Sequence, residues 1–177
     1  MIDKNEIIDV EEIKASPEEA EGGRKSDGGS YLVIADESEE VMVALRYAAL
    51  TARAHRAKVI IAYIIHVDDF QHWQNVEEMM RKELREQAEK FLWKIAEGVN
   101  DLCEFRPSFS IREGDKYDEI VKIIKEDKTI RSLILGGNIE NSKPGSLVSY
   151  FTGKGFSRLH VPVMIVPSDL EDKGFRH

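Results

Sequence analysis

Two runs made only of apolar residues, YLVIA at Tyr31–Ala35 and VIIAYII at Val59–Ile65, constrain this chain more than any other feature of it. A strand with one wet face alternates polar and apolar residues, so an unbroken apolar run of this length calls for burial on both faces. Helices above and below a sheet provide that burial, and the intervening segments have the right pattern. Val41, Leu45, Ala48, Ala49 and Ala52 fall on one helical stripe, short of bulk, which suits close packing on a sheet. Asp36, Glu37 and Ser38 precede it, with Ser38 placed to cap the helix and Glu39 and Glu40 at the positive end of its dipole.

The alternation continues. Val76, Met80, Leu84, Ala88, Phe91 and Ile95 carry a long helix from about Asn75 to Glu97. Phe105–Arg112 (FRPSFSIR) reads as a third strand, with Pro107 placing it toward an edge. Glu113-Gly114-Asp115 turns the chain, and Asp115 caps a helix running through Tyr117, Ile120, Val121 and Ile124. Ser132–Leu135 is a fourth strand, Ser146–Phe151 a helix and Val163–Val166 a fifth strand. Strands alternating with helices in this way predict an α/β domain, a Rossmann-like parallel sheet with helices on both faces. Ligands of such sheets bind beyond the carboxyl ends of the strands, where the strand order reverses. That rule selects the loops after the first and fourth strands, which hold Asp36 and Gly136–Ser146.

Bulk properties narrow the class. A chain of 177 residues fills one core. A formal charge of −8 argues against a general affinity for nucleic acid, which needs clustered Lys and Arg. The single cysteine, Cys103, cannot form an internal disulfide and sits beside Leu102 and near Phe105, as a half-buried hydrophobe in a reducing compartment would. The longest apolar run is too short for a bilayer and no signal peptide is visible, so the expected place is the cytoplasm, away from membranes. Residues 1–30, acidic, free of tryptophan and phenylalanine and ending in Gly and Ser, are expected to be a flexible tail. Residues 31–168 form the domain and 169–177 a polar C-terminal tail.

Four pieces of this domain resemble the universal stress protein family: YLVIADESEEVMVALRYAALTARAHRAKV, IIAYII, SIREGDKYDEIVKII, and SLILGGN together with VPVMIVP. The resemblance spans Tyr31 to Pro167. It implies a five-stranded parallel sheet in the order 3-2-1-4-5, similar to adenine nucleotide alpha hydrolases, and a homodimer formed through the last strand. Members either bind ATP, with Mg, or lack nucleotide. In the binders an Asp ending the first strand contacts the nucleoside, a position held by Asp36. A second-strand residue matched by Ile64 holds adenine through its backbone. The phosphates lie on a loop of form Gly, two residues, Gly, nine residues, Gly-Ser. Gly136, with Gly137 after it, matches its beginning. The second glycine position is Ile139, and Gly145-Ser146 arrives early. The segment GSLVSYFTGKGFSRLHVPVMIVP is similar to a variant found in some bacterial members.

Two readings of that loop stand side by side. Gly136, Gly137, Gly145 and Ser146 supply the free N–H groups that grip a phosphate, with Lys143 or Lys154 for charge. A strand-to-helix crossover is equally rich in Gly, Pro and Ser because it turns. Asp36 likewise suits either a ligand or a helix start. His66, Asp68, Asp69 and His72 after the second strand are metal-binding types, but their spacing matches no recognised site, and no metal is expected. No nucleophile–base pairing or complete P-loop is present, so no catalytic residue is expected and at most slow ATP hydrolysis. The functions to be tested are thus a nucleotide-binding regulatory protein and a nucleotide-free dimer that meets an unknown protein partner.

Overall fold

The computed structural model describes residues 7–8, 28–36, 38, 40–66, 74–139 and 144–170. In chain order these form β1 (Ile7–Ile8), β2 (Ser30–Ile34), α1 (Glu40–Ala54), β3 (Lys58–Ile65), α2 (Gln74–Glu97), β4 (Ser108–Glu113), α3 (Lys116–Glu126), β5 (Ile130–Gly137), α4 (Ser146–Thr152) and β6 (Val163–Pro167). One sheet runs β1-β4-β3-β2-β5-β6. Its five domain strands are parallel and, counted along the chain, lie in the order 3-2-1-4-5. The order reverses at β2, which pairs with β3 on one side and β5 on the other, so the crevice rule applies between the ends of β2 and β5.

β1 was not foreseen. It comes from the segment expected to be a tail and pairs antiparallel with β4, Ile7 opposite Ser110 and Ile8 opposite Phe109. β1 therefore covers the edge that Pro107 had suggested for the third strand, whose regular part begins only at Ser108. The rest of the expected flexible tail, the polar C-terminal tail beyond Leu170, and Asp68, Asp69 and His72 lie outside the described residues.

Side chains of successive strand residues point to opposite faces, and the core divides accordingly. Val33, Val59, Ile61, Phe109, Ile111 and Ile134 pack under α1 and α2. Leu32, Ile34, Ile60, Ala62, Leu133 and Leu135 pack under α3 and α4. The stripe of small residues on α1 is fully used: Ala44, Ala48, Ala49 and Ala52 are buried against the sheet. Trp93 of α2 meets Phe109 edge to face at 5.3 Å. Asp115 caps α3 as expected, its Oδ1 accepting from the Tyr117 and Asp118 amides.

Candidate functional site

The short side chains of α1 bring its first turn close to the end of β5, and this approach defines the crevice. A Cβ at Gly136 would lie 2.6 Å from Glu40 Cβ and 2.6 Å from the Glu40 carbonyl oxygen. Real Cβ contacts are never that close, so glycine at this position serves the packing of α1 on β5. Beside it a cavity of about 60 Å³ opens between the carboxyl ends of β2 and β5. Asp36, Ser38, Glu40, Gly136, Asn138, Gly145 and Ser146 line it above an apolar floor that includes Ile34 and Leu135.

Of the residues picked from the sequence, Asp36, Gly136, Gly145 and Ser146 thus meet at one rim. Gly137 does not join them. It is buried against Ile165 of β6, and its carbonyl accepts from the Ser168 amide at 2.9 Å. Ile64 lies one strand over, on β3 opposite Arg112 of β4, outside the cavity lining. Ile139, which replaces the second glycine, does not plug the cavity: its side chain is exposed (53%) and its amide donates to Ser168 Oγ at 3.4 Å.

Asp36 and Ser38 close an Asx turn, with the Ser38 amide donating to Asp36 Oδ1 at 3.1 Å and the Ser38 hydroxyl donating to the same oxygen. Ser38 thus turns back toward Asp36, and α1 starts at Glu40. The Glu40 carboxyl is held below its usual range, chiefly by its own backbone amide, then by side-chain donors from Asn138 and Ser38, against an opposing desolvation. Ser38 has one hydroxyl proton, and the short contact to Asp36 claims it. Glu40 therefore rests mainly on its amide and Asn138.

Across the crevice, Lys116 at the start of α3 donates to Ser146 Oγ at 2.8 Å. Sequence reasoning missed Glu40, Asn138 and Lys116 as lining or supporting groups. Glu40 carried a signal, since a carboxylate one turn after a strand-end Asp faces the same loop, but it was absorbed by the helix-dipole reading. Asn138 directly follows the two glycines. Nothing in the chain announced Lys116, because its partner is thirty residues away.

Behind this wall Tyr117 and Tyr150 stack at 4.1 Å, and Arg158 donates to the Tyr150 hydroxyl at 2.7 Å and to Asp118 at 2.8 Å. A Cβ at Gly155 would fall 2.1 Å from Tyr150 Cε1, so the Gly-Lys-Gly insertion lets the chain pass over that ring. Lys154 stands 5.5 Å from the centre of the same ring. Among the described residues no group of three His, Cys, Asp or Glu could hold a metal, and no helix is long and apolar enough to cross a membrane.

The model of the universal stress protein family matches residues 31–167. Among solved structures, a universal stress protein UspA from Lactobacillus plantarum superposes with a TM-score of 0.63 at 20% identity, covering 78% of this chain and 97% of that one. A universal stress protein in complex with cAMP gives 0.57 at 19% identity, covering 79% and 97%. The Archaeoglobus fulgidus universal stress protein in complex with dAMP gives 0.55 at 16%, covering 78% and 97%. A search of curated protein sequences found no match. The matched span, the strand order and the strand-end loops agree, and this chain belongs to the universal stress protein family.

Proposed function

We propose that this is a cytoplasmic regulatory protein that binds ATP or a related adenine nucleotide, with Mg where the ligand carries it, in the crevice between β2 and β5. One observation carries the reading: Asp36, Gly136, Gly145 and Ser146, picked from separate parts of the sequence, line one cavity while Ile139 stays clear of it. In this reading Asp36 accepts a ribose hydroxyl, the Ile64 backbone faces adenine, and the Gly145–Ser146 segment meets phosphate. The cAMP and dAMP complexes of two relatives support the ligand class. Occupancy would alter which partner the protein meets. Nothing lining the crevice resembles a nucleophile with its base, so a binding role is favoured over an efficient enzyme.

The second reading, a nucleotide-free dimer acting through protein contacts, is favoured by one feature: Glu40 places an ionised carboxylate in the cavity wall. In either reading the dimer forms through β6, which pairs with β5 alone among the described strands and exposes Ile165.

Chromatography of the supernatant from freshly purified, denatured protein should reveal an adenine nucleotide. MgATP at a hundredfold over its dissociation constant should stabilise by about 2.7 kcal/mol. For a domain of this size that raises the melting temperature by roughly 5–11 °C. No released nucleotide together with no shift from ATP, AMP or cAMP selects the nucleotide-free reading.

A further inference from the structure

The two walls of the crevice differ in charge. On one side stand Asp36 and Glu40, the latter held ionised. On the other, Lys116 Nζ donates to Ser146 Oγ at 2.8 Å and lies 5.5 Å from the centre of the Tyr117 ring. No carboxylate pairs with Lys116 among the described residues, whose ion pairs involve Arg81, Arg85, Arg112, Lys122 and Arg158. An ammonium has three donors, and a hydroxyl and a ring leave this one without an anion. Ser146 accepts from Lys116, so its own O–H is free to donate into the cavity it lines.

We propose that Lys116, acting with Ser146, grips a phosphate in this crevice, and that the ligand is a nucleoside monophosphate. The proposal rests on the adenine-nucleotide reading above and narrows it. The acidic wall takes the donors of the sugar, and the Lys116–Ser146 wall takes the anion. Two carboxylates already face one ammonium across a cavity of about 60 Å³. Each additional phosphate brings further negative charge, and the described lining residues include no second cation to meet it. The sequence placed the charge for phosphate on Lys143 or Lys154. Lys143 lies outside the described residues, and Lys154 stands over Tyr150.

Calorimetric titration of the full chain with adenosine, AMP and ATP, in EDTA at low salt, tests this. The wild-type protein should bind AMP about tenfold more tightly than adenosine, as a charge-assisted hydrogen bond provides, and more tightly than ATP. Lys116→Met should bring AMP down to the level of adenosine while adenosine itself is unchanged, and Lys116→Arg should restore most of the difference. Glu40→Gln should improve ATP more than AMP. Equal losses of AMP and adenosine in Lys116→Met, or wild-type protein that prefers ATP or binds adenosine as well as AMP, overturn the proposal and leave nucleotide binding standing. Failure of all three ligands on wild-type protein removes both readings together.

Discussion

Gly136 separates two explanations of the glycine loop, and replacing it by alanine turns the difference into a number. The new Cβ would sit 2.6 Å from both Glu40 Cβ and the Glu40 carbonyl oxygen, and 2.8 Å from its carbonyl carbon. Two of those atoms are backbone, so relief requires the first turn of α1 to move away from β5, which disturbs the packing of its buried alanines. Overpacking of this kind costs about 1–3 kcal/mol. Loss of glycine's freedom in the unfolded chain returns about 0.4–1 kcal/mol. The net destabilisation is then roughly 1–2 kcal/mol, a fall in melting temperature of about 2–8 °C. Gly145→Ala is the matched control: its φ of −52° suits alanine, and nothing lies within 4 Å of the added Cβ. A slightly poorer helix cap and a stiffer unfolded chain nearly cancel there, leaving about half a kcal/mol or less. Urea unfolding of both variants, with unchanged slope, reads the difference directly. Gly136→Ala protein as stable as wild type, or Gly145→Ala protein equally weakened, would refute the packing argument.

Three further expectations follow from other parts of the fold. Arg112 is 2% exposed and pairs with Glu126 at 2.8 Å, its remaining listed contact being Ser110 Oγ at 3.4 Å. Glu126→Ala leaves that guanidinium without its carboxylate; because Glu126 is itself half exposed, the expected loss is about 1–3 kcal/mol, below that of a wholly buried pair, measured by urea unfolding. Burial pushes the Cys103 thiol from 9.0 up to about 11. The fold favours its neutral form, so this contribution to stability is present below about pH 9 and fades as pH rises toward 11, and disulfide-reagent labelling at pH 8 should be about a hundredfold slower than for a free thiol. Rapid labelling of folded protein would contradict it. Ile165→Lys on β6 should shift sedimentation from dimer to monomer, whereas a monomeric wild-type protein at high concentration would remove the β6 interface.

The parallel sheet was legible because its strands are buried on both faces and its helices on one. Apolar runs such as Val59–Ile65 and the alanine stripe of α1 are local consequences of that geometry. The crevice was half legible. Asp36 and Gly136 stand at strand ends, and strand ends are what the pattern locates best. Gly137 and Ile64 were included by adjacency and by resemblance, and the sheet turns the first toward β6 and sets the second on the neighbouring strand. The pairing of Lys116 with Ser146 depends on how α3 and α4 lie against each other, which no spacing in the chain encodes. β1 escaped for a related reason: two residues in an acidic segment carry no periodicity, and only the open edge of β4 gives them a place.

Titration of isotope-labelled protein with AMP, followed by amide chemical shifts, tests the central claim most directly. Concerted movement of Asp36, Ser38, Gly136, Asn138, Gly145 and Ser146, with the amino-end residues of β2 and β5 unmoved, is the predicted result. Shifts confined to the opposite end of the sheet, or none up to millimolar ligand, would contradict it.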